Sequence, residues 1–122
     1  MSQVLIVDDE PDIVNVLAEF LGEEGLDVRV AYDGRQALKA LTEKTPDLLI
    51  TDLMMPRMDG HTLIREVRAN EALRHLPILV MSAGILDKGL LASGVRFVPK
   101  PFELDQMIAQ VLELLGQRRG SR

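Results

Sequence analysis

The chain has 122 residues, no cysteine and a formal net charge of −5. Its length suits one domain with a buried core, and 47% hydrophobic with 27% charged residues is typical of a folded globular protein rather than a disordered one. The acidic balance argues against direct nucleic-acid binding, and the lack of cysteine excludes disulfides and cysteine-ligated zinc. No apolar run approaches the roughly 18 residues of a membrane span, so we expect a cytoplasmic protein that does not enter a membrane.

The first predicted elements are a short apolar strand and a helix. Val4–Val7 is a continuous apolar run that ends at Asp8 and Asp9. After Pro11, apolar residues recur at helical spacing until glycines mark the stop. These residues are Ile13, Val16, Leu17, Phe20 and Leu21.

Strand and helix patterns alternate through the rest of the chain. The further predicted strands are Asp27–Tyr32, Leu48–Thr51, Ile78–Met81 and Val95–Val98. Apolar residues at helical spacing predict helices after strands two, three and five. They are Ala37, Leu38 and Leu41 in the second helix, Leu63, Ile64 and Val67 in the third, and Leu104, Met107, Ile108, Val111, Leu112 and Leu115 in the last.

The strand composition predicts the order of the sheet. Strands one, three and four are continuously apolar, as in strands covered on both faces, whereas strands two and five alternate at least in part, as at sheet edges. Right-handed crossovers then give a doubly wound, five-stranded parallel α/β sheet in the order 2-1-3-4-5. The chain reverses direction between strands one and three, so a crevice is expected there.

Single polar residues follow four of the predicted strands. Asp8 and Asp9 end strand one, Asp52 strand three, Ser82 strand four and Lys100 strand five. Parallel strands bring these groups to one edge of the sheet, where open α/β folds bind ligands. Each residue alone would more often be a helix cap, a turn former or a solvated lysine. Together they predict a site for a divalent cation and a phosphoryl group.

The chemistry of this cluster predicts phosphoryl transfer to a carboxylate. Three ionised carboxylates repel one another, and a hard cation such as Mg²⁺ relieves that repulsion. Asp52 is the candidate nucleophile, because a carboxylate can attack a phosphoryl donor and form an aspartyl-phosphate. The Lys100 ammonium could pair with one phosphoryl oxygen, and the Ser82 hydroxyl could donate a hydrogen bond to another.

The motifs VDDEP, DLMMPRMDG, MSA and VPKPF occur in this order along the chain. Together they resemble the receiver domain of bacterial two-component response regulators, over about Val4–Leu115. The resemblance implies a flavodoxin-like three-layer sandwich that acts as a phospho-accepting signalling switch, catalysing its own phosphorylation and dephosphorylation, rather than as an enzyme turning over small molecules. It implies that Asp52 accepts phosphate from a histidine kinase or phosphotransfer protein and that an output target, which the sequence does not name, responds.

The resemblance also implies the ligands of the cation. Asp9, Asp52 and the main-chain carbonyl of Met54 would bind Mg²⁺ directly, with Mn²⁺ as an alternative ion, and Asp8 would bind it through water. Lys100 would contact the phosphoryl group, as would the hydroxyl residue of strand four.

A switch pair and a cis peptide bond follow from the same resemblance. Ser82 would move toward the phosphoryl group while Phe97 turns inward to fill the space. Because Phe97 has no hydroxyl to anchor an outward state, we expect it to be inward or lightly biased. The peptide bond between Lys100 and Pro101 would be cis, although Pro101 could instead simply begin the last helix.

The chain departs from the family pattern between strands four and five. Only 17 residues separate Ser82 from Lys100, about four fewer than the family usually has, and Gly84 and Gly89 weaken helix propensity there. We therefore expect a shortened or irregular fourth helix over residues 84–94. In the family, that helix forms the output and dimerisation face together with strand five and the last helix, and a homodimer through strand five and the last helix is the corresponding expectation here. Residues 1–117 are expected to form the domain, with 118–122 as a flexible tail or the start of a linker.

Three other functions are compatible with part of the pattern. A metal-dependent aspartyl phosphatase would need a second acid two residues after the nucleophile, where this chain has Met54. A nucleotide-binding domain would need a glycine-rich phosphate loop, and neither common motif is present. A degenerate receiver used only for protein contact would not need the acids, hydroxyl and lysine that are intact here.

Overall fold

Strands and helices alternate along the chain in the computed structural model, which describes residues 2–54, 59–83 and 94–119, with side chains through Gly116. The strands are β1 Gln3–Val7, β2 Asp27–Ala31, β3 Leu48–Asp52, β4 Ile78–Ser82 and β5 Arg96–Pro99. The helices in these ranges are α1 Pro11–Glu23, α2 Gly34–Glu43, α3 Gly60–Ala69 and α4 Leu104–Arg119.

The sheet has the predicted order and direction. Its five strands run β2-β1-β3-β4-β5, and every neighbouring pair is parallel. All five residues of β3 and of β4 are buried, whereas β2 and β5 each include exposed positions. The reasoning from continuous and alternating strands is therefore confirmed, because the strands with exposed positions are the two edges.

Two apolar clusters cover the two faces of the sheet. The α2/α3 cluster joins Leu5, Leu49 and Val80 of the sheet to α2 and α3. The α1/α4 cluster joins alternate strand residues, such as Ile6 and Ile50, to α1 and α4. Successive side chains of a strand point to opposite faces, so one sheet supplies both cores. This arrangement confirms the three-layer α/β sandwich.

The buried face of α1 differs from the apolar spacing in the sequence. Val14, Leu17 and Leu21 are buried, whereas Val16 is 46% exposed and Phe20 is 38% exposed. Five apolar residues spread over a helix cover an arc wider than the strip that touches the sheet. Val16 and Phe20 lie on the flank of that arc, which periodicity alone does not separate from its centre.

Two sequence predictions concern parts of the chain that the structure does not describe or does not test. The shortened or irregular fourth helix was predicted over residues 84–94, and residues 84–93 of that range lie outside the described residues. The tail or linker predicted over 118–122 stays a prediction, since α4 extends to Arg119 and residues 120–122 are outside the described ranges. Within those ranges, no helix combines the length and apolar character needed to cross a bilayer.

Candidate functional site

The carboxyl edge of the sheet gathers the polar residues that end its strands. Asp8 follows β1, Asp52 ends β3, Ser82 ends β4 and Lys100 follows β5. Asp8 is fully buried, and Asp52 and Ser82 are 5% and 1% exposed. Buried polar side chains of this kind need partners, because an unpaired charge removed from water is costly. The contacts of Lys100 supply much of that pairing.

The Lys100 ammonium reaches three carboxylates. Its Nζ lies 2.9 Å from Oδ2 of Asp8, 3.3 Å from Oε1 of Glu10 and 3.4 Å from Oδ2 of Asp52. Its backbone N–H donates to the carbonyl of Ser82 at 2.9 Å, which ties the end of β5 to the end of β4. Burial opposes the ammonium charge, but Asp8, Asp52 and Glu10 outweigh burial and raise the pKa of Lys100 above its ordinary value of 10.5. Lys100 is thus held in its charged form.

The Asp52 carboxylate has a fixed orientation and an unfavourable charge. Its Oδ1 accepts a hydrogen bond from the Leu53 N–H at 2.8 Å, while its Oδ2 faces Lys100. Burial raises the pKa of Asp52 above 3.8; Lys100 lowers it, Asp8 raises it further, and the backbone N–H groups of Leu53 and Met54 lower it. The net direction is upward. Added positive charge nearby would therefore stabilise the charged form of this buried carboxylate.

Glu10 belongs to the cluster, although the sequence analysis did not single it out. It occupies the N-cap position of α1 but makes no capping hydrogen bond with its side chain, which instead reaches Lys100. Its backbone N–H donates to Oδ1 of Asp8 at 2.9 Å, which fixes that carboxylate. The signal available in the sequence was its position between the acid pair and Pro11, the first residue of α1.

The arrangement of carboxylates fits a hard divalent cation. Asp8, Asp9, Glu10 and Asp52 each offer an oxygen, and these atoms all lie within 4.8 Å of one another. Carboxylate oxygens are the ligands that Mg²⁺ and Mn²⁺ accept in proteins. Burial is the chief cause of the raised pKa of Asp52, and the nearby Asp8 carboxylate adds to it, so a cation at this cluster would favour the charged form of Asp52.

The remaining predicted site residues lie around this cluster. The side chain of Met54, two residues after Asp52, is 71% exposed, and the backbone N–H of Met54 lowers the pKa of Asp52. Phe97 is half-buried and packs against the α2/α3 cluster. The register pairs Asp52 with Met81, so Ser82 lies one residue farther along the neighbouring strand.

The turn after β5 brings Lys100 to the cluster. The peptide bond between Lys100 and Pro101 is cis, which is the isomer that the resemblance implies. A cleft of about 380 Å³ opens beside it, lined by Glu10, Ile13, Ala83, Lys100, Pro101 and Phe102. The ammonium therefore borders a space that a small group can enter.

Comparisons with known proteins agree with this fold. The family model described as "Response regulator receiver domain" matches residues 4–112. The transcriptional regulatory protein TrcR of Mycobacterium tuberculosis is 37% identical over 98% of this chain, which spans 46% of TrcR. The sensor histidine kinase TmoS of Ectopseudomonas mendocina is 40% identical over 95% of this chain, which spans 12% of that kinase. This chain thus spans about half the length of the regulators it matches, and less of the kinase.

Solved structures show the same architecture. A Francisella response regulator receiver domain superposes with a TM-score of 0.86 at 29% identity, covering 97% of this chain and 99% of its own. A response regulator described as putative, from Chloroflexus aurantiacus, gives 0.85 at 32% identity, covering 94% and 98%. The matched family model and the order of the sheet lead to the same family. This chain belongs to the receiver domain family of two-component response regulators.

Proposed function

We propose that this receiver domain accepts a phosphoryl group on Asp52 in a reaction that depends on Mg²⁺, with Mn²⁺ as a substitute. The observation that carries the proposal is the position of Asp52, a buried carboxylate 3.4 Å from a lysine and grouped with three further carboxylates. A phosphoryl-accepting carboxylate needs positioning and charge compensation more than covalent help. The site supplies both on rigid strand ends.

The residues have separate roles in the proposed reaction. Asp9, Asp52 and the Met54 carbonyl would hold the cation, and Asp8 would act through water. When bound, the cation supplies positive charge to the acceptor and the incoming phosphoryl group. An oxygen of Asp52 forms a bond to phosphorus as the bond from phosphorus to the donor's leaving group breaks, and the acyl phosphate remains on the protein. Hydrolysis at the same site returns the free carboxylate.

Lys100 and Ser82 then recognise the product. The ammonium already lies 3.4 Å from Asp52 Oδ2, so it can pair with a phosphoryl oxygen attached there while remaining near Asp8. The Ser82 hydroxyl is the proposed donor to a second oxygen, and Phe97 follows it inward. Phosphorylation would shift the balance between two existing states by binding one of them better.

The proposed partners are proteins that donate or read the phosphoryl group. A histidine kinase or phosphotransfer protein is the donor, and an output protein or domain responds. A homodimer through β5 and α4 is a candidate readout. Within the chain, Arg96 of β5 donates to Gln110 and Glu113 of α4, so the two elements are joined. We place the domain in the cytoplasm, without direct nucleic-acid or membrane contact.

Intact-mass measurement with a small phosphodonor tests the proposed function. Incubation with acetyl phosphate and Mg²⁺ is expected to add one phosphate, and Asp52→Asn or removal of Mg²⁺ with a chelator is expected to abolish the addition. Asp27→Asn is the matched control, because Asp27 is an exposed aspartate at the opposite end of the sheet. Steady phosphate release from varied phosphate esters would instead support a phosphatase. No mass increase in the wild-type protein would contradict the proposal.

A further inference from the structure

The peptide group between Asp52 and Leu53 has a defined partner at each end. Its N–H, from Leu53, donates to Oδ1 of Asp52 at 2.8 Å. Its carbonyl, from Asp52, accepts a hydrogen bond from Oγ1 of Thr51 at 2.8 Å. Both atoms belong to one planar unit, so a rotation that moves the carbonyl also moves the N–H. The orientation of the Asp52 carboxylate is therefore linked to the contacts of the carbonyl.

Thr51 is a buried polar residue without a role in the proposed chemistry. It is fully buried, and its spacing of two residues from Leu49 in β3 and from Leu53 just past the strand places it on the face that these leucines of the α2/α3 cluster occupy. A valine would suit such a position on packing grounds. The hydroxyl is satisfied by the Asp52 carbonyl, and a buried hydroxyl carries a cost unless it is bonded in this way.

Gly60 lies close against the Asp52 carbonyl. It is the first residue of α3, and its N–H donates to the Leu53 carbonyl at 2.9 Å. A Cβ atom on Gly60 would lie 2.3 Å from the Asp52 carbonyl oxygen and 2.7 Å from the Leu53 Cα. Both atoms are backbone, so a side chain at this position would force the strand end and the helix start apart. Glycine permits the close approach.

We propose that Thr51 and Gly60 are positioning residues that together fix the Asp52–Leu53 peptide plane and, through the Leu53 N–H, aim the phospho-accepting carboxylate. Thr51 holds the carbonyl by a hydrogen bond, and Gly60 leaves the space that this orientation needs. The kinetic consequence rests on the proposed function of Asp52. The orientation itself is independent of phosphate and can be measured without it.

Thr51→Val tests the hydrogen bond, since it replaces the hydroxyl with a methyl group of similar size. The Leu53 amide proton shift in ¹⁵N-labelled, metal-free protein reports the N–H to carboxylate bond, and acetyl phosphate with Mg²⁺ reports the rate. In Thr51→Val we expect this resonance to move upfield and phosphorylation to slow about tenfold. Thr51→Ser, which keeps the hydroxyl, should restore both. Thr42→Val is the matched control and should change neither, because the Thr42 hydroxyl donates to the Lys39 carbonyl on α2.

Gly60→Ala tests the close approach from the other side. We expect the Leu53 amide shift to change and phosphorylation to slow by about tenfold to a hundredfold, the loss expected for a displacement near 1 Å. Gly22→Ala is the control, since a Cβ on Gly22 meets nothing within 4 Å, and its rate should equal that of the wild type. If Gly60→Ala does not fold, the Thr51 variants decide the question.

The outcomes separate this inference from the proposed function. A wild-type Leu53 amide shift in Thr51→Val, or equal losses of rate in Thr51→Val and Thr51→Ser, would overturn the positioning role. If the wild-type protein fails to accept phosphate, the function of Asp52 is wrong. The Leu53 amide shift in Thr51→Val then still confirms or overturns the orientation, because that reading requires no phosphodonor.

Discussion

Lys100 partly offsets the negative charge of the site in the metal-free protein, since its ammonium contacts Asp8, Glu10 and Asp52 while its side chain is only 13% exposed. Replacing it with methionine keeps most of the stem but leaves the buried Asp8 carboxylate without a cation. We expect Lys100→Met to lower the free energy of unfolding by about 2–3 kcal/mol at neutral pH, below the range for a fully buried pair. Added Mg²⁺ should reduce that loss, because the cation then faces the same carboxylates.

Denaturant unfolding with and without Mg²⁺ measures the effect of Lys100→Met. Lys39→Met on α2 is the control, since Lys39 is exposed and should change stability by less than about 0.5 kcal/mol. An equal loss at Lys100 in the two conditions would show that the ammonium and the cation do not share these carboxylates.

Asp52 should destabilise the metal-free protein at neutral pH. Its pKa is raised in the folded state, chiefly by burial, so the fold favours the protonated form. The stability linked to that proton is complete below the ordinary pKa of 3.8 and is lost as pH rises through the folded value. Asp52→Asn removes the charge, so we expect Tm at pH 7 to rise by a few degrees and the gain to vanish near pH 3.

Calorimetric scans of wild type and Asp52→Asn across pH, in chelator, measure this dependence. Asp27→Asn should show no comparable trend, because Asp27 is exposed at the other end of the sheet. A variant that is less stable than wild type at pH 7 would mean that Lys100 and the backbone N–H groups outweigh burial.

Individual site residues were predictable to different degrees from the sequence. Asp8, Asp52, Ser82 and Lys100 were identified because each ends a recognisable strand, and strand ends converge in a parallel sheet. Glu10, Thr51 and Gly60 were missed. Their roles depend on a side-chain direction, a single hydrogen bond and a close backbone approach, none of which has a sequence period.

At the scale of elements, α1 shows where periodicity stops being informative. Val14 is fully buried in the α1/α4 cluster, whereas Val16 is 46% exposed two residues later. We expect Val14→Ala to cost about 2 kcal/mol, from lost apolar burial and the cavity left behind. Val16→Ala should cost less than about 0.5 kcal/mol, because it removes little buried surface.

The two valine variants control for each other, since the chemical change and the helix are the same. Denaturant midpoints with unchanged m-values would give both differences. Equal costs would mean that Val16 is covered by something in solution, and the exposed flank of α1 would then be an interface.

Strands were read from the sequence more reliably than helix faces. A strand covered on both faces is apolar throughout, so β3 and β4 were distinguishable from the edges without knowing their neighbours. In a helix, only part of the apolar arc is buried against the sheet. Which part is buried depends on how the helix is tilted on the sheet. For α3, where Leu63, Ile64 and Val67 form a narrow stripe, the predicted and buried residues coincide.

At the scale of the whole molecule, cation binding should appear as global stability. The site joins residues from both halves of the chain, from Asp8 to Lys100, and an unfolded chain cannot assemble it. A ligand that binds only the folded state stabilises it by RT ln(1 + [L]/Kd), or about 1.4 kcal/mol at ten times Kd. We expect Mg²⁺ to raise Tm in proportion to the logarithm of its concentration. At equal ionic strength, Ca²⁺ should give an increase in Tm of a different size.

Asp9→Asn separates the cation's contribution from the stability of the fold. Asp9 is exposed and offers a carboxylate oxygen to the cluster, so its replacement should leave the metal-free Tm nearly unchanged while removing most of the Mg²⁺ increment. Asp27→Asn carries the same change of charge away from the cluster and should keep the full increment. If Asp9→Asn retained the wild-type response to Mg²⁺, the cation would be stabilising the protein elsewhere, and the acidic edge would not be its site.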